Sequence, residues 1–347
     1  MTAKRRYDEL SGERSQFLNV AEQAADLTLP YLIRGEEQNT KGMRHLPTPY
    51  QSVGAKGVVT LSAKLMLALL PPQTSFFKLQ VDESMLGQFG PEVKSELDLS
   101  FSKIERTILD AIAASDDRVV IHQAIKHLVV AGNALLFMSK KGLKLYPLNR
   151  FVLERDGNGN VIEIVTKELI NKKLVEEQFP DYKPEQPNPV MDSVYGDEND
   201  IEVYTHIKRD GSKFIWHQEI DNKILPKSRG TAPLDSNPWI ALRFNTVDGE
   251  AYGRGRVEEF IGDLKSLEAL SQALVEGSAA ASKVVFTVSP SSTTKPSTLA
   301  NAGNGAIIQG RPDDIGVVQV GKTADFATAF NMIQTLEGRL SEAFLIL

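Results

Sequence analysis

The chain has 347 residues, of which 41% are hydrophobic, a formal net charge of −6 and no cysteine. This length supports one large domain or two to three ordinary ones, and the lack of cysteine excludes a disulfide framework and a thiolate metal site. The acidic balance argues against a protein that coats nucleic acid, since neutralising phosphates requires concentrated Lys and Arg, but it allows one that surrounds DNA without gripping it.

No segment has the pattern of a membrane or secretory element. The basic start at Lys4–Arg6 is not followed by an apolar stretch, so it is not a secretory signal. The longest apolar run, Leu65–Leu70, is too short to span a bilayer. We therefore expect a soluble protein that does not contact membranes and is assembled in a reducing cytoplasm.

The first third of the chain is predicted to be helical. Apolar residues recur at helical spacing in each segment, and prolines end the first two segments. A strand-like stretch, Phe76–Val81, separates the second segment from the third. The predicted helices are Lys4–Leu29, Tyr50–Leu70, Pro91 through Ile112, and a segment capped by Ser115 or Asp116 that ends at Gly132.

From Asn133 onward the pattern changes to short strands. Asp156–Gly159 has the chemistry of a hairpin turn, and Asp210-Gly211 forms a second turn. A short helix is predicted near Ile170–Phe179, before a proline-rich loop. The predicted strands are Ala134–Ser139, Leu143–Pro147, Arg150–Arg155, Val161–Glu168, Ile201–Ile207, Phe214–Ile220 and Trp239–Phe244, with Ile224 a further strand position.

One long amphipathic helix, Tyr252–Lys283, is the most prominent element. At roughly 1.5 Å per residue it would be ~45 Å long, more than an ordinary compact domain needs, which is typical of a strut. Its apolar stripe follows steps of three and four residues. The members of this stripe are Val257, Ile261, Leu264, Leu267, Leu270 and Leu274.

A small β module and a final helix follow the strut. Strands are predicted at Val284–Val288, Ala306–Gln309 and Val317–Val320, around a polar excursion at Ser289–Gly303. The last helix opens at Thr323 and is predicted to continue to Leu347. Its predicted apolar face carries Phe326, Phe330, Ile333, Leu336, Leu340 and Phe344.

Three stretches resemble nucleotide-binding or metal-binding motifs, but the residues around them do not suit these functions. Gly316–Thr323 matches G-x-x-x-x-G-K-[ST], but a phosphate-binding loop requires a buried parallel strand before its first glycine, and RPDDI stands there. Asp156 resembles the start of a calcium loop, but Val161 replaces the required glycine. His206 and His217 are possible cross-strand neighbours without metal-ligand spacing. We therefore predict no catalytic residue, metal or cofactor.

Four runs carry a resemblance to a known family. They are KRRYDELSGERSQFLNVAEQAADLTLPYL, PTPYQSVGAKGVVTLSAKLMLALLPPQTSFFKL, PWIALRFNTVDGEAYGRGRVEEFIGDLKSLEALSQAL and TAFNMIQTLEGRLSEAFL. With the order helices, β-rich middle, long helix, β module and helix, the chain resembles the portal proteins, or head-to-tail connectors, of short-tailed, autographivirus-like bacteriophages. These runs belong to a scaffold and include no catalytic signature.

The resemblance implies a fold and a function. The fold class is α+β, with an α/β wing, two long stem helices and a small β-containing clip. The function is a structural, non-enzymatic subunit of a virion ring of twelve, which conducts double-stranded DNA at one capsid vertex during packaging and ejection. The implied partners are other copies of the chain, the major capsid protein, the scaffolding protein, the terminase, the tail adaptor and DNA without sequence preference.

The resemblance also implies boundaries and sites. Residues 1–250 correspond to the wing (helical 1–132, β-rich 133–250), 251–283 to the first stem helix, 284–322 to the clip and 323–347 to the second stem helix. Family members continue into a tunnel loop and a crown that this sequence does not include. Expected channel cations are Lys265, Lys283, Lys295, Arg311 and Lys322, and the apolar stripe from Val257 to Leu274 is expected to pack on neighbouring subunits. A packaging P-loop NTPase and a non-channel adaptor or scaffold-binding protein are the alternatives.

Overall fold

The computed structural model describes residues 2–34, 45–72, 74–80, 91–171, 174–175, 177, 179, 182, 200–281, 285–290, 295–303, 307, 311, 313, 315–318 and 323–346. It mixes helices with antiparallel sheets, as the sequence predicts. The chain forms two compact units, Met1–Gly262 with Leu340–Leu347, and Asp263–Arg339. None of the helices in the described ranges has the length and apolar character needed to cross a membrane.

The first unit opens with the predicted helices. They are α1 (Ala3–Asp26), α2 (Val53–Leu69), α3 (Pro91–Ala114) and α4 (Asp117–Ala131). The hydroxyl of Thr2 caps α1 by accepting a hydrogen bond from the amide of Arg5 at 3.4 Å. Gly132 ends α4 with φ 72° in the left-handed region, as predicted for a C-terminal glycine.

Two antiparallel sheets follow the helices. Their strands are β1 (Asn133–Ser139), β2 (Gly142–Tyr146), β3 (Phe151–Arg155), β4 (Val161–Asn171), β5 (Asp200–Asp210), β6 (Lys213–Ile220), β7 (Lys223–Ile224), β8 (Gly230–Pro233) and β9 (Trp239–Arg243). The smaller sheet has the order β2-β1-β9. The larger has the order β3-β4-β5-β6-β7, and β8 also pairs with β6. The predicted strands in this region are therefore confirmed.

The turn between β3 and β4 confirms the hairpin interpretation. The Asp156 carboxylate accepts hydrogen bonds from the amides of Asn158 at 3.0 Å and Asn160 at 2.7 Å. It also accepts one from the side-chain amide of Asn160 at 2.9 Å. This carboxylate closes the turn on itself, as Asp does in turns.

Helix α1 packs on the larger sheet. Tyr7 and Leu10 lie in one buried cluster with Val152, Val165 and Tyr204. The amide of Ala3 donates a 2.6 Å hydrogen bond to Glu219 Oε2 on β6. The first helical turn is thus joined to a strand more than 200 residues further along the chain.

The long helix begins later and is shorter than predicted. A single turn, α5 (Arg256–Glu259), is separated at Phe260 from α6 (Ile261–Ala281). The 21 residues of α6 correspond to about 32 Å. The predicted start at Tyr252 is wrong, because this side chain is fully buried in the first unit and residues 252–255 are not helical.

Three other predictions about helices and strands also differ from the structure. Ile170 extends β4 by pairing with Ile201, so the helix predicted from this position does not begin there. Phe76–Gln80 forms no strand in the described residues. The last helix, α8 (Thr323–Ala343), ends before Leu345, whose φ of 56° lies in the left-handed region and is incompatible with a continuing helix.

Candidate functional site

The second unit contains two antiparallel helices and a short sheet. Near one end, Arg339 of α8 lies 3.8 Å from the Asp263 carboxylate of α6. Towards the other end, Gly277 faces the Phe326 ring so closely that a Cβ there would lie 2.8 Å from a ring carbon. Antiparallel strands β10 (Val285–Val288) and β11 (Ile315–Val318), with the short helix α7 (Pro296–Ala300) between them in sequence, lie between α6 and α8 in the chain.

The predicted interface stripe divides into buried and partly exposed side chains. Val257, Leu264 and Leu267 are 0% exposed in the single chain. This corrects the prediction that they pack on a neighbouring subunit, because residues of their own chain already cover them. The partly exposed members are Ile261, Leu270 and Leu274.

Other apolar side chains in the second unit are more exposed than the predicted stripe. Val275 is 54% exposed, Phe330 50% and Met332 51%. The helical spacing of α8 correctly identifies Ile333 and Leu336 as buried residues. It does not show that Phe330, assigned to the same apolar face, remains half exposed.

Three of the five predicted channel cations lie in the described residues. Lys265 is on α6, Lys295 immediately precedes α7, and Arg311 lies between α7 and β11; all three are exposed. Lys283 and Lys322 lie outside the described residues. Exposure is necessary for a channel residue, but it is also the usual state of Lys and Arg on any protein surface.

A tightly packed junction in the first unit fixes the chain just before α5. The Asn133 side chain accepts a 2.7 Å hydrogen bond from the Gly253 amide and donates one of 2.7 Å to the Gly253 carbonyl. A Cβ on Gly255 would lie 2.5 Å from the Val130 carbonyl oxygen. The glycines in Tyr252–Arg256 are therefore required by close main-chain contact with the end of α4.

Tyr252 anchors the same junction to the larger sheet. Its hydroxyl accepts a 3.0 Å hydrogen bond from the Leu153 amide, and its ring packs on Phe17 with centroids 5.3 Å apart. Burial raises the pKa of Tyr252 to about 12. The phenol is therefore neutral and structural at physiological pH.

The described part of the nucleotide motif is a strand. Gly316 pairs with Thr287, and Val317 with Phe286, in the β10–β11 ladder. The Thr287 hydroxyl also donates to the Gly316 carbonyl at 3.2 Å. A phosphate-binding loop needs free amides that converge on the ligand, whereas an antiparallel ladder at its first residues engages the main chain in pairing. This geometry does not favour the NTPase alternative.

The two strand histidines lie beside glutamates rather than around a metal position. His206 and His217 are opposite each other on β5 and β6, with ring centroids 5.3 Å apart, which confirms the cross-strand prediction. His206 contacts Glu163, and His217 lies 2.9 Å from Glu219. Within the described residues, no group of three or more potential ligands is arranged to hold a metal ion.

Comparisons with known proteins match one family over nearly the whole sequence. The family described as "Bacteriophage head to tail connecting protein" matches residues 1–346. The portal protein of Escherichia phage T7 is 35% identical over 362 residues, covering 99% of this chain and 65% of the relative. The portal protein of Enterobacteria phage T3 is 36% identical over 356 residues, covering 99% and 64%. The chain thus spans less than two thirds of the length of these relatives.

Similarity to solved structures is more distant. A chain from the virion of a native gene transfer agent particle is 10% identical, with a TM-score of 0.35. That match covers 66% of this chain and 55% of the other. A likeness at this level supports no conclusion about function.

Proposed function

The chain belongs to the family of bacteriophage head to tail connecting proteins, and on this premise we propose that it is a structural subunit of a DNA-conducting portal ring. The ring occupies one capsid vertex of the virion, and double-stranded DNA passes through it during packaging and ejection. The observation that carries the proposal is the 35 to 36% identity to two phage portal proteins along 99% of the chain.

The two units provide a basis for dividing this role. Residues 1–250, with their helices and two sheets, serve as the wing. Helices α6 and α8 serve as the stem, with their ends as the structure defines them, and residues 284–322 serve as the clip. The antiparallel pairing of α6 with α8 supports this division, because it makes the intervening segment a projection between two helices.

The subunit contacts of the stem involve its exposed apolar side chains. Val275, Phe330 and Met332 are each at least half exposed in the single chain, and Leu270 and Leu274 are partly exposed. In a closed ring each subunit uses two different surfaces, one for each neighbour. Burial of a half-exposed phenylalanine at such a contact contributes roughly 1 to 2 kcal/mol.

The electrostatic character of the chain suits a conduit. With a net charge of −6, the protein as a whole does not attract DNA strongly, so the duplex can move without many phosphates being held. Lys265, Lys295 and Arg311 are exposed candidates for the channel wall, and Lys283 and Lys322 are further candidates. A few such cations would guide DNA without sequence preference.

The protein partners follow from the proposed position of the ring between capsid and tail. The wing contacts the major capsid protein and scaffolding protein during assembly in the host cytoplasm, and the clip binds first the terminase and then the tail adaptor. The role is non-enzymatic, and no cofactor takes part in it.

Assembly of a stem variant tests the proposal. Phe330→Asp should shift the protein from rings to smaller species, because a carboxylate cannot be buried at an apolar contact without a large desolvation cost. Asn331→Asp adds the same charge at the neighbouring exposed position and should still form rings. Mass photometry of both variants measures the distribution. Rings of unchanged stability in Phe330→Asp would contradict the proposed stem contact.

Two other functions make different predictions. A packaging NTPase would show ATP turnover by the purified protein, and Lys322→Ala would abolish it. An adaptor without a channel would remain a small particle in negative-stain images. The described geometry of Gly316–Val318 supports neither a nucleotide site nor turnover.

A further inference from the structure

Two arginines of the first unit lie beside the same turn. Arg155, at the end of β3, donates hydrogen bonds to three main-chain carbonyls: Ala251 at 2.9 Å, Gly159 at 2.8 Å and Ala241 at 3.1 Å. Arg243, at the end of β9, lies so close to Gly159 that a Cβ there would be 2.7 Å from its Nη2. Both guanidinium groups therefore meet at Gly159.

Neither arginine has a carboxylate partner. In the described part of the chain, the hydrogen bonds of both guanidinium groups go to main-chain carbonyls, and neither group forms an ion pair with an acidic side chain. Arg243 makes one such bond, from Nη1 to the Glu250 carbonyl at 2.9 Å, and its Nε and Nη2 donate to no described protein atom. Burial, and then the charge of Arg243, lower the pKa of Arg155 to about 10. Two like charges thus lie close together, and neither has an ion-pair partner in the described part of the chain.

The guanidinium groups line an open cavity of about 640 Å³. Its walls are the β3–β4 turn and the loop of residues 246–251. Three carboxylates also line it, but two of them are engaged: Asp156 closes its own turn, and Glu250 pairs with Arg254 at 2.6 Å. The third, Asp248, lies on an exposed part of the loop and forms no ion pair with either arginine.

We propose that Arg155 and Arg243 form a binding site for a single phosphate-type oxyanion that bridges their guanidinium groups. The planar fork of Arg matches the oxygens of such an anion, and a charge-assisted bond is about twice as strong as a neutral one. An anion between the two groups would remove their mutual repulsion and use the free donors of Arg243. It would also link the ends of β3 and β9 with the loop that leads into Tyr252.

The surroundings favour a free anion over a nucleic acid strand. Asp156, Asp248 and Glu250 lie around the same cavity, and they would repel the successive phosphates of a polyanion. One compact anion places its charge between the two arginines and extends no further charge towards these carboxylates. The site lies in the first unit and does not depend on ring formation.

Thermal unfolding in inorganic phosphate tests the site. The chain is compared in phosphate and in chloride at equal ionic strength, with Arg243→Gln as the test variant and Arg106→Gln, an exposed arginine on α3, as the matched control. The unmodified chain and Arg106→Gln should show a saturable rise in Tm with phosphate. In Arg243→Gln the apparent affinity should fall roughly tenfold or more, because one charged partner is lost. In chloride alone this variant should be about as stable as the parent, because removal of the like-charge contact offsets the lost hydrogen bond to the Glu250 carbonyl.

Several results would overturn the proposal. One is a phosphate response that is equal in all three proteins and does not saturate, since excluded salts stabilise any folded protein in this way. Another is an equal loss of stability for Arg243→Gln in both salts, which indicates a purely structural arginine. A third is a larger Tm rise with a short DNA duplex than with the same concentration of free phosphate. If Arg243→Gln does not fold, calorimetric titration of the unmodified chain with phosphate decides, and the absence of saturable heat refutes the site.

Discussion

Asn133 offers the sharpest test of how the chain is fixed ahead of its stem helix. Its side chain is 1% exposed and makes three hydrogen bonds, two with Gly253 at 2.7 Å and one with the Ala131 carbonyl at 2.9 Å. Asn133→Ala removes all of them without inserting new atoms. The Gly253 amide and carbonyl then lose their partner in a buried place.

The expected loss of stability in Asn133→Ala follows from the burial of the Gly253 amide and carbonyl. A buried backbone donor or acceptor that loses its partner costs about 1–3 kcal/mol. With the Gly253 amide and carbonyl both affected and a small void left behind, we expect Asn133→Ala to lower the free energy of unfolding by about 3 to 5 kcal/mol. Asn158→Ala is the matched control, because its side chain is exposed in a turn, and it should change stability by less than about 0.5 kcal/mol.

Urea unfolding followed by tryptophan fluorescence is the suitable measurement. Both tryptophans, Trp216 and Trp239, belong to the first unit, so the signal reports the unit that holds the junction. The urea midpoints of the variants are compared, provided that the slope of the free energy of unfolding against urea concentration is the same for each. A loss below about 1 kcal/mol for Asn133→Ala would refute the reasoning, since it would mean that water or a shifted loop replaces the Asn133 contacts.

Three further predictions concern the first unit. Burial raises the pKa of Glu163, but hydrogen bonds from His206 and Arg6 outweigh this effect and lower it to about 2. Its stabilisation is therefore present above pH 4.5 and lost as pH falls towards 2, and Glu163→Gln should flatten this part of an acid unfolding curve. Burial lowers the pKa of His127 from 6.5 to about 4, so the free energy of unfolding should decline as pH falls through this range. His127→Gln should remove this part of the decline, and an acid unfolding curve identical to that of the unmodified chain would contradict the prediction. Gly255→Ala should cost roughly 2 kcal/mol or more in thermal unfolding, because the added Cβ meets the main chain of α4 at 2.5 Å.

The order of elements was predictable because hydrophobic periodicity reflects which faces are buried. The four N-terminal helices and the strands from Asn133 to Arg243 follow this rule, and the left-handed glycine at position 132 is a purely local signal. The start of the long helix was not predictable in this way. The predicted apolar stripe begins only at Val257, and the buried Tyr252 and the close packing of Gly253 hold residues 252–255 in a non-helical conformation.

The candidate site was harder to predict because periodicity does not identify what covers an apolar face. Leu264 and Leu267 have the spacing of an interface stripe, yet their own chain buries them. Phe330 has the spacing of a core residue, yet it is half exposed. The arginine pair at Gly159 joins residues 88 positions apart, and only tertiary structure brings Arg155 and Arg243 together.

The mass and shape of the purified protein test the central claim most directly. Native mass spectrometry combined with electron microscopy of the unmodified protein should show a closed ring of about twelve subunits with a central opening wide enough for a DNA duplex. A single subunit or a compact dimer without an opening, at concentrations where the family assembles, would contradict the portal assignment.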